Sequence, residues 1–437
     1  MTRLGGLVID VSPLRTSRPF RYAFSARMIS LLGIGLLVVA VPAQTYQLTK
    51  STLQVAGVST AMAVAMFVGS LFGGVLADRY DRRRTIQLAR SAAGLGFVIL
   101  GCNALLPHPS MWVIYVAAAI DGLAGGVSSS ALMALMPTLL PREKMAAAGA
   151  LVALTTDVGT MISPAIAGVI IASGGIPVTY FVAAAATAGT VTLFQAVGPA
   201  PAPGTNHESP VRALVTGVKF AGTHTVIRGI LISGLLVMFV SGPMVLLPAF
   251  VDDVLGGGPT MLGLLYAAPA VGAVIGSLTS GWTGRVHRNG AAMLISVALM
   301  PLGLVILGAS GAVFLAFLGL AGFGLGRALN DILRFAVLQQ NTPDELRGRV
   351  SSLWMVQAVT GTAIGSMAAG FLGQWLEPGT ALLALGIAGL TLGLILLATL
   401  GSVRRVTSEV IVLDRPDSHP ENAVPVATAA REKEGSS

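Results

Sequence analysis

The sequence predicts an all-α integral membrane protein of twelve transmembrane helices in two pseudo-symmetric six-helix bundles. Three observations predict it. The 437 residues are 54% hydrophobic and only 11% charged, with a mean hydropathy of +0.80; a soluble domain uses about a quarter charged residues to cover its surface. Twelve apolar stretches each approach or exceed the roughly 20 residues needed to cross a hydrocarbon core. Lys and Arg gather in alternate connections, the bias of a polytopic membrane protein.

The first six stretches lie near 26–47, 55–77, 86–106, 111–137, 146–172 and 176–197. The first resembles a signal-peptide core ending near Ala43, but its length and the spans after it exclude that reading. The second six lie near 228–251, 260–283, 290–308, 311–338, 350–373 and 379–400. Between them, residues 198–227 begin GPAPAPGTNHESP and form a Pro-rich, polar break. Residues 404–437 lack a long apolar run and read as a disordered tail. The expected domains are therefore an N-terminal bundle (1–197), a cytoplasmic linker (198–227), a C-terminal bundle (228–403) and a cytoplasmic tail (404–437).

Orientation follows from the basic residues. One side would hold Arg3, Arg15, Arg18 and Arg21, Arg79 and Arg82 to Arg84, Arg142 and Lys144, Arg212 and Lys219, Arg285 and Arg288, Arg347 and Arg349, and Arg404 and Arg405. The other would hold only Lys50. Both termini are expected in the cytoplasm.

Composition also excludes classes. The net charge of +8 sits between apolar segments without interleaved aromatics, which argues against nucleic acid. A single cysteine, Cys102, rules out an internal disulfide or a cysteine-based zinc site. All five histidines fall in loops or tails, so no histidine metal cluster is expected. No GxxxxGK[ST] loop or HExxH-type constellation appears, which argues against an ATPase or a membrane enzyme. GFGLG at 322–326 lies inside a span and reads as helix packing.

The halves repeat. An offset of about 202 residues lays Gly159, Thr160, Ile162 and Gly168 over Gly361, Thr362, Ile364 and Gly370; an offset of 203 lays Gly69 and Gly73 over Gly272 and Gly276. Two similar halves around a midplane site are a common transporter construction.

The most specific segment is GGVLADRYDRRRTI (73–86) between spans two and three. Gly74 lets a helix end tightly, Asp78 can accept from a neighbouring helix N-terminus, where a carboxylate gains about 0.3–1 kcal/mol, and Arg79, Arg82 and Arg83 can anchor the loop at anionic lipid. This segment resembles the signature loop of the major facilitator superfamily. With NALLPHPS, ISPAIAGVI, GLLYAAPAVGAVIGSLTSG and TPDELRGRV it is similar to the enterobactin exporter family of bacterial siderophore efflux proteins, over roughly residues 10–400. The resemblance implies the major facilitator fold and proton-driven antiport of a catecholate siderophore out of the cytoplasm, across the bacterial inner membrane, by alternating access. A multidrug exporter of the same superfamily is the alternative. Two departures bear on gating. The family commonly has glycine where Asp81 stands, and the second-half copy, GSLTSGWTGRVHR (276–288), has Gly281 in place of the acid.

Charges inside spans need a reason, since each costs roughly 2.5–3.5 kcal/mol on insertion scales. Asp121 and Asp157 lie near mid-depth of spans four and five; Arg327 and Asp331 are one turn apart in span ten, with Arg334 continuing that side. Arg27 and Arg90 lie near the ends of spans one and three, where both can snorkel. Family resemblance lines the cavity with spans one, four, seven and ten. On that basis Asp121 is expected to titrate against Arg327 across the pseudo-twofold axis, with Asp331 competing. Asp121, Asp157 and Asp331 are the proton-coupling candidates. Arg327, Arg334, Arg27 and Gln44 are the cargo-binding candidates, although Gln44, like Gln357, Asn330 and Thr155, also suits interhelical hydrogen bonding. Met62, Met66, Trp354 and Phe335 can contact an aromatic ligand, although core packing is the stronger expectation for each, and Asp252 and Asp253 are expected in water, capping the outer end of span seven. The expected partners are a small anionic or aromatic molecule, membrane lipid and protons, with no cofactor, metal or nucleic acid, for a monomer.

Overall fold

The computed structural model describes residues 10–200, 210–343 and 346–407. The expected disordered tail from residue 408 onward and the linker residues 201–209 lie outside the described residues. The first half consists of α1 (Arg18–Thr49), α2 (Thr52–Arg79), α3 (Arg82–Ala104), α4 (Met111–Leu135) and α5 (Met145–Gln195). A further helix, α6 (Pro210–Thr223), occupies part of the segment expected as linker. The second half holds α7 (Thr225–Ser241), α8 (Pro259–Thr279), α9 (Asn289–Leu299), α10 (Leu302–Ala309), α11 (Val313–Gln340), α12 (Arg347–Trp375) and α13 (Pro378–Thr399).

Ten stretches of the described residues are long and apolar enough to cross a membrane. The protein is a multi-pass membrane protein. One stretch, α5, has 51 residues, far more than one crossing uses. It breaks at Gly175 (φ 81°, ψ 173°), a conformation that glycine reaches without a Cβ clash. The chain then doubles back: Arg27 beside Thr156 and Ala26 beside Thr190 put both limbs of α5 against one level of α1. Prolines break two other spans. Pro301 separates α9 from α10. Pro243 and Pro248 lie where α7 gives way to 3-10, α and π turns ending at Val254, since proline removes a helical N–H.

Glycine spacing sets the packing. Gly69 and Gly73 of α2 lie on the backbone at Leu123 and Val127 of α4, so close that a Cβ would collide. Their repeat partners behave alike: Gly272 of α8 lies on the Ala321 carbonyl of α11 and Gly276 on Leu325. Gly168 and Gly370, matched by the same repeat, both join the halves. Gly168 of α5 meets Pro259 and Gly263 of α8, and Gly370 of α12 meets Thr52 and Ala56 of α2. Without such small residues apolar helices cannot approach closely enough for backbone packing.

Tyr180, Phe97, Phe250 and Phe323 are fully buried. By contrast Leu88, Leu95, Trp112, Phe314, Phe371 and Trp375 are largely exposed. So many outward-facing large apolar side chains fit a surface that meets lipid. Trp112, Phe314 and Trp375 stand at helix ends, on the level where aromatic rings favour the membrane interface.

Candidate translocation site

The interior charges are held within their own halves. Asp121, ten residues into α4, is 7% exposed. The cation whose charge acts on it is Arg90 of α3. Arg90 Nε also donates to Ser128 Oγ of α4 at 2.9 Å. Arg90 thus does more than snorkel. Ser128 follows Asp121 by seven residues and shares its helix face, so the polar stripe on α4 was the sequence signal for this pairing.

The expected Asp121–Arg327 pair does not form. Arg327 lies 3.9 Å from Asp331, one turn along α11, and donates to Ser241 Oγ at the end of α7 at 3.4 Å. Repeat symmetry placed the two residues across an axis; in the structure α4 packs on α3, whose Arg90 is the cation that acts on Asp121.

A cavity of about 300 Å³ lies between the halves. Leu37, Met62, Met66 and Asp121 line it from the first half, Met244 and Tyr266 from the second. The methionines expected in the core therefore face this space. Asp121 is the one carboxylate in the wall.

The remaining candidates divide. Arg27 Nη2 donates to Thr156 Oγ1 of α5 at 3.0 Å, next to half-buried Asp157, so Arg27 is tied rather than snorkelled. Gln44 Oε1 accepts from the buried Tyr180 hydroxyl at 2.7 Å, an interhelical hydrogen bond. Asn330 Nδ2 donates to the Met293 carbonyl and Thr155 Oγ1 to that of Val152. Arg334 is 4% exposed. Its Nη2 donates to Gln357 Oε1 at 2.6 Å, and its guanidinium lies 5.3 Å from the Trp354 ring centre.

At the arginine-rich end, Arg82 folds inward, Nε toward the Ala77 carbonyl and Nη1 toward that of Ala134 at 2.9 Å. Arg79 is exposed, and Asp78 and Arg83 are half-buried near the turn. Open space surrounds Gly74. Asp81, where the family commonly has glycine, caps α3 by accepting from Arg84 N at 2.9 Å. Its second oxygen accepts from Ala200 N at 2.8 Å, while Arg82 N donates to the Ala200 carbonyl. The departure therefore ties the signature loop to the chain leaving the first half.

The opposite end is closed across the halves. Asp252 and Asp253 do not simply cap a span in water. Lys50 pairs with Asp252, and the Tyr46 hydroxyl donates to Asp253. Thr52 Oγ1 donates to the Gly370 carbonyl at 2.8 Å, and Gln374 Nε2 to Ser51 Oγ at 3.5 Å. These pairs join residues more than 200 positions apart, beyond what spacing along the chain reveals.

The family model described as transmembrane secretion effector matches residues 9–432. The chain belongs to this family of the major facilitator superfamily. It is 39% identical over 398 residues to the enterobactin exporter EntS of Escherichia coli O81 (strain ED1a), covering 91% of this chain and 95% of that one. The same figures hold for the enterobactin exporter EntS of Shigella boydii serotype 18 (strain CDC 3083-94 / BS512). Among solved structures, a POT family transporter in complex with 5-aminolevulinic acid superposes with a TM-score of 0.72 at 13% identity, over 89% of this chain and 97% of that one. The nucleoside transporter NupG superposes at 0.70 and 12% identity, over 89% and 100%. The fold is that of the major facilitator transporters, and the protein is a transporter, not an enzyme.

Proposed function

We propose that this transporter exports a catecholate siderophore from the cytoplasm across the bacterial inner membrane, as a monomer, by proton antiport and alternating access. The chain then crosses the membrane twelve times, with α5 crossing twice and α12 once, and the arginine-rich end faces the cytoplasm. The cargo reading rests on likeness to the enterobactin exporters along almost their whole length. The mechanism rests on one observation: an acid, Asp121, lines a cavity between halves that are closed at the end opposite the arginine-rich loops, with the charge of Arg90 acting on it from the neighbouring helix.

Asp121 in its charged form holds Arg90 by attraction that a low-dielectric interior strengthens. A proton arriving from the outer side cancels that charge and leaves the guanidinium, still bonded to Ser128, free to attract an anionic cargo oxygen. Loss of the proton to the cytoplasm restores the pair. The half-open charges Arg327 and Asp331 provide a second polar surface in the other half. The apolar walls at Leu37, Met62 and Met66 favour a second reading, export of uncharged drugs.

Proteoliposomes test the proposal. An imposed pH gradient should drive uptake of labelled enterobactin, and Asp121→Asn should abolish gradient-driven accumulation while sparing exchange at equal pH. Undiminished accumulation by Asp121→Asn contradicts the coupling role; drug transport without enterobactin transport supports the second reading.

A further inference from the structure

The second half contains a polar niche that the cycle above does not use. Arg334 and Asp331 of α11 line a cavity of about 20 Å³ together with Leu231, Phe335, Val350 and Trp354. A water-sized group needs roughly 10–15 Å³ of such space, so the niche has room for one oxygen atom. Two polar atoms of these residues are buried without a hydrogen bond: Arg334 Nη1, a donor, and Asp331 Oδ1, an acceptor. Their companions Nη2 and Oδ2 are engaged, the first by Gln357 and the second by Arg327. Arg334 itself is 96% buried, being 4% exposed. At the rim stand two aromatic rings with accessible surface, Phe335 at 61% and Trp354 at 41% exposure. Core packing is the stronger sequence expectation for both, with contact to an aromatic ligand the alternative, and their exposure favours the alternative. Their neighbour Arg334 lies over the Trp354 ring.

One donor and one acceptor beside a space of that size match a hydroxyl, which accepts with its lone pair and donates its proton. A carboxylate offers no proton to Asp331, and an ammonium no lone pair to Arg334. Aromatic walls favour a ring attached to that hydroxyl. We infer that Arg334, Asp331, Phe335 and Trp354 form a subsite for a phenolic ring of the cargo, one hydroxyl bridging Arg334 and Asp331. The inference rests on the cargo class proposed above, and it assigns recognition to the second half while Asp121 and Arg90 lie in the first.

Trp354 can report on the site alone after Trp112→Phe, Trp282→Phe and Trp375→Phe, all three being exposed. Purified protein is titrated with catechol and with its dimethyl ether, which keeps the ring and loses both hydroxyl protons. Saturable quenching by catechol, weaker by about tenfold or more for the ether as expected when a buried acceptor loses its donor, is the expected result. Arg334→Lys should remove that preference, and Phe335→Ala, which replaces an exposed ring that the fold does not need, should weaken both ligands alike. Equal affinity for the two ligands, no saturable quenching, an unchanged preference in Arg334→Lys, or unchanged affinities in Phe335→Ala overturns the subsite. Enterobactin export measured in parallel separates the two claims: export without catechol binding sinks the subsite alone, and catechol binding without export sinks the cargo reading.

Discussion

An isolated cation placed in a bilayer interior costs roughly 2.5–3.5 kcal/mol on insertion scales, and the charge of Asp121 and the bond to Ser128 both act to offset that cost for Arg90. Removing one member of such a pair leaves the other charge stranded, a loss of about 3–5 kcal/mol for buried pairs. Asp121→Asn should therefore lower the melting temperature, and adding Arg90→Gln should recover it without recovering transport. Recovery of both would make the pair purely structural. Gln44 is the contrasting case. Gln44→Ala strands the buried Tyr180 hydroxyl and should cost about 1–3 kcal/mol with unchanged cargo affinity; thermal unfolding and equilibrium binding on the same preparation separate these effects.

At the scale of helices, closure at the end opposite the arginine-rich loops depends on backbone packing more than on charge. The Lys50–Asp252 pair is exposed, and such pairs contribute about 0–1 kcal/mol, so Lys50→Ala should barely change the conformational balance. Gly168 and Gly370 sit on the backbone of the other half. Gly168→Leu or Gly370→Leu should wedge that end apart, read as a longer distance between spin labels at Thr49, the end of α1, and Val254, where the span begun by α7 ends. An unchanged distance would show that closure does not need these contacts. A short cross-link between Ser51→Cys and Gln374→Cys, residues already hydrogen-bonded across the halves, should stop transport until cleaved. Cys102 is exposed and must first be replaced.

For the whole molecule, the two-half plan was readable because it is periodic. Apolar runs of span length marked the helices, and the Gly69/Gly272 and Gly168/Gly370 matches marked helix contacts that the structure makes. Charge pairing was less readable, because it depends on which helices lie side by side. Repeat symmetry pointed Asp121 across the molecule to Arg327, and lateral packing of α3 gave it Arg90. The closure by Tyr46 and Lys50 on Asp253 and Asp252 joins the two halves directly, and no spacing rule reaches that far. Trp354 and Phe335 looked like packing residues since an aromatic stripe in a span is usually core; their exposure became visible only when α11 and α12 were placed together.

The central claim is the cargo and its direction, and secretion by whole cells tests it most directly. A host that makes a catecholate siderophore but lacks its exporter would express this protein, and intact siderophore would be quantified in the medium and in the cells. The account predicts restored secretion that is lost when the proton gradient is collapsed. Siderophore retained in cells that carry correctly inserted protein would contradict it.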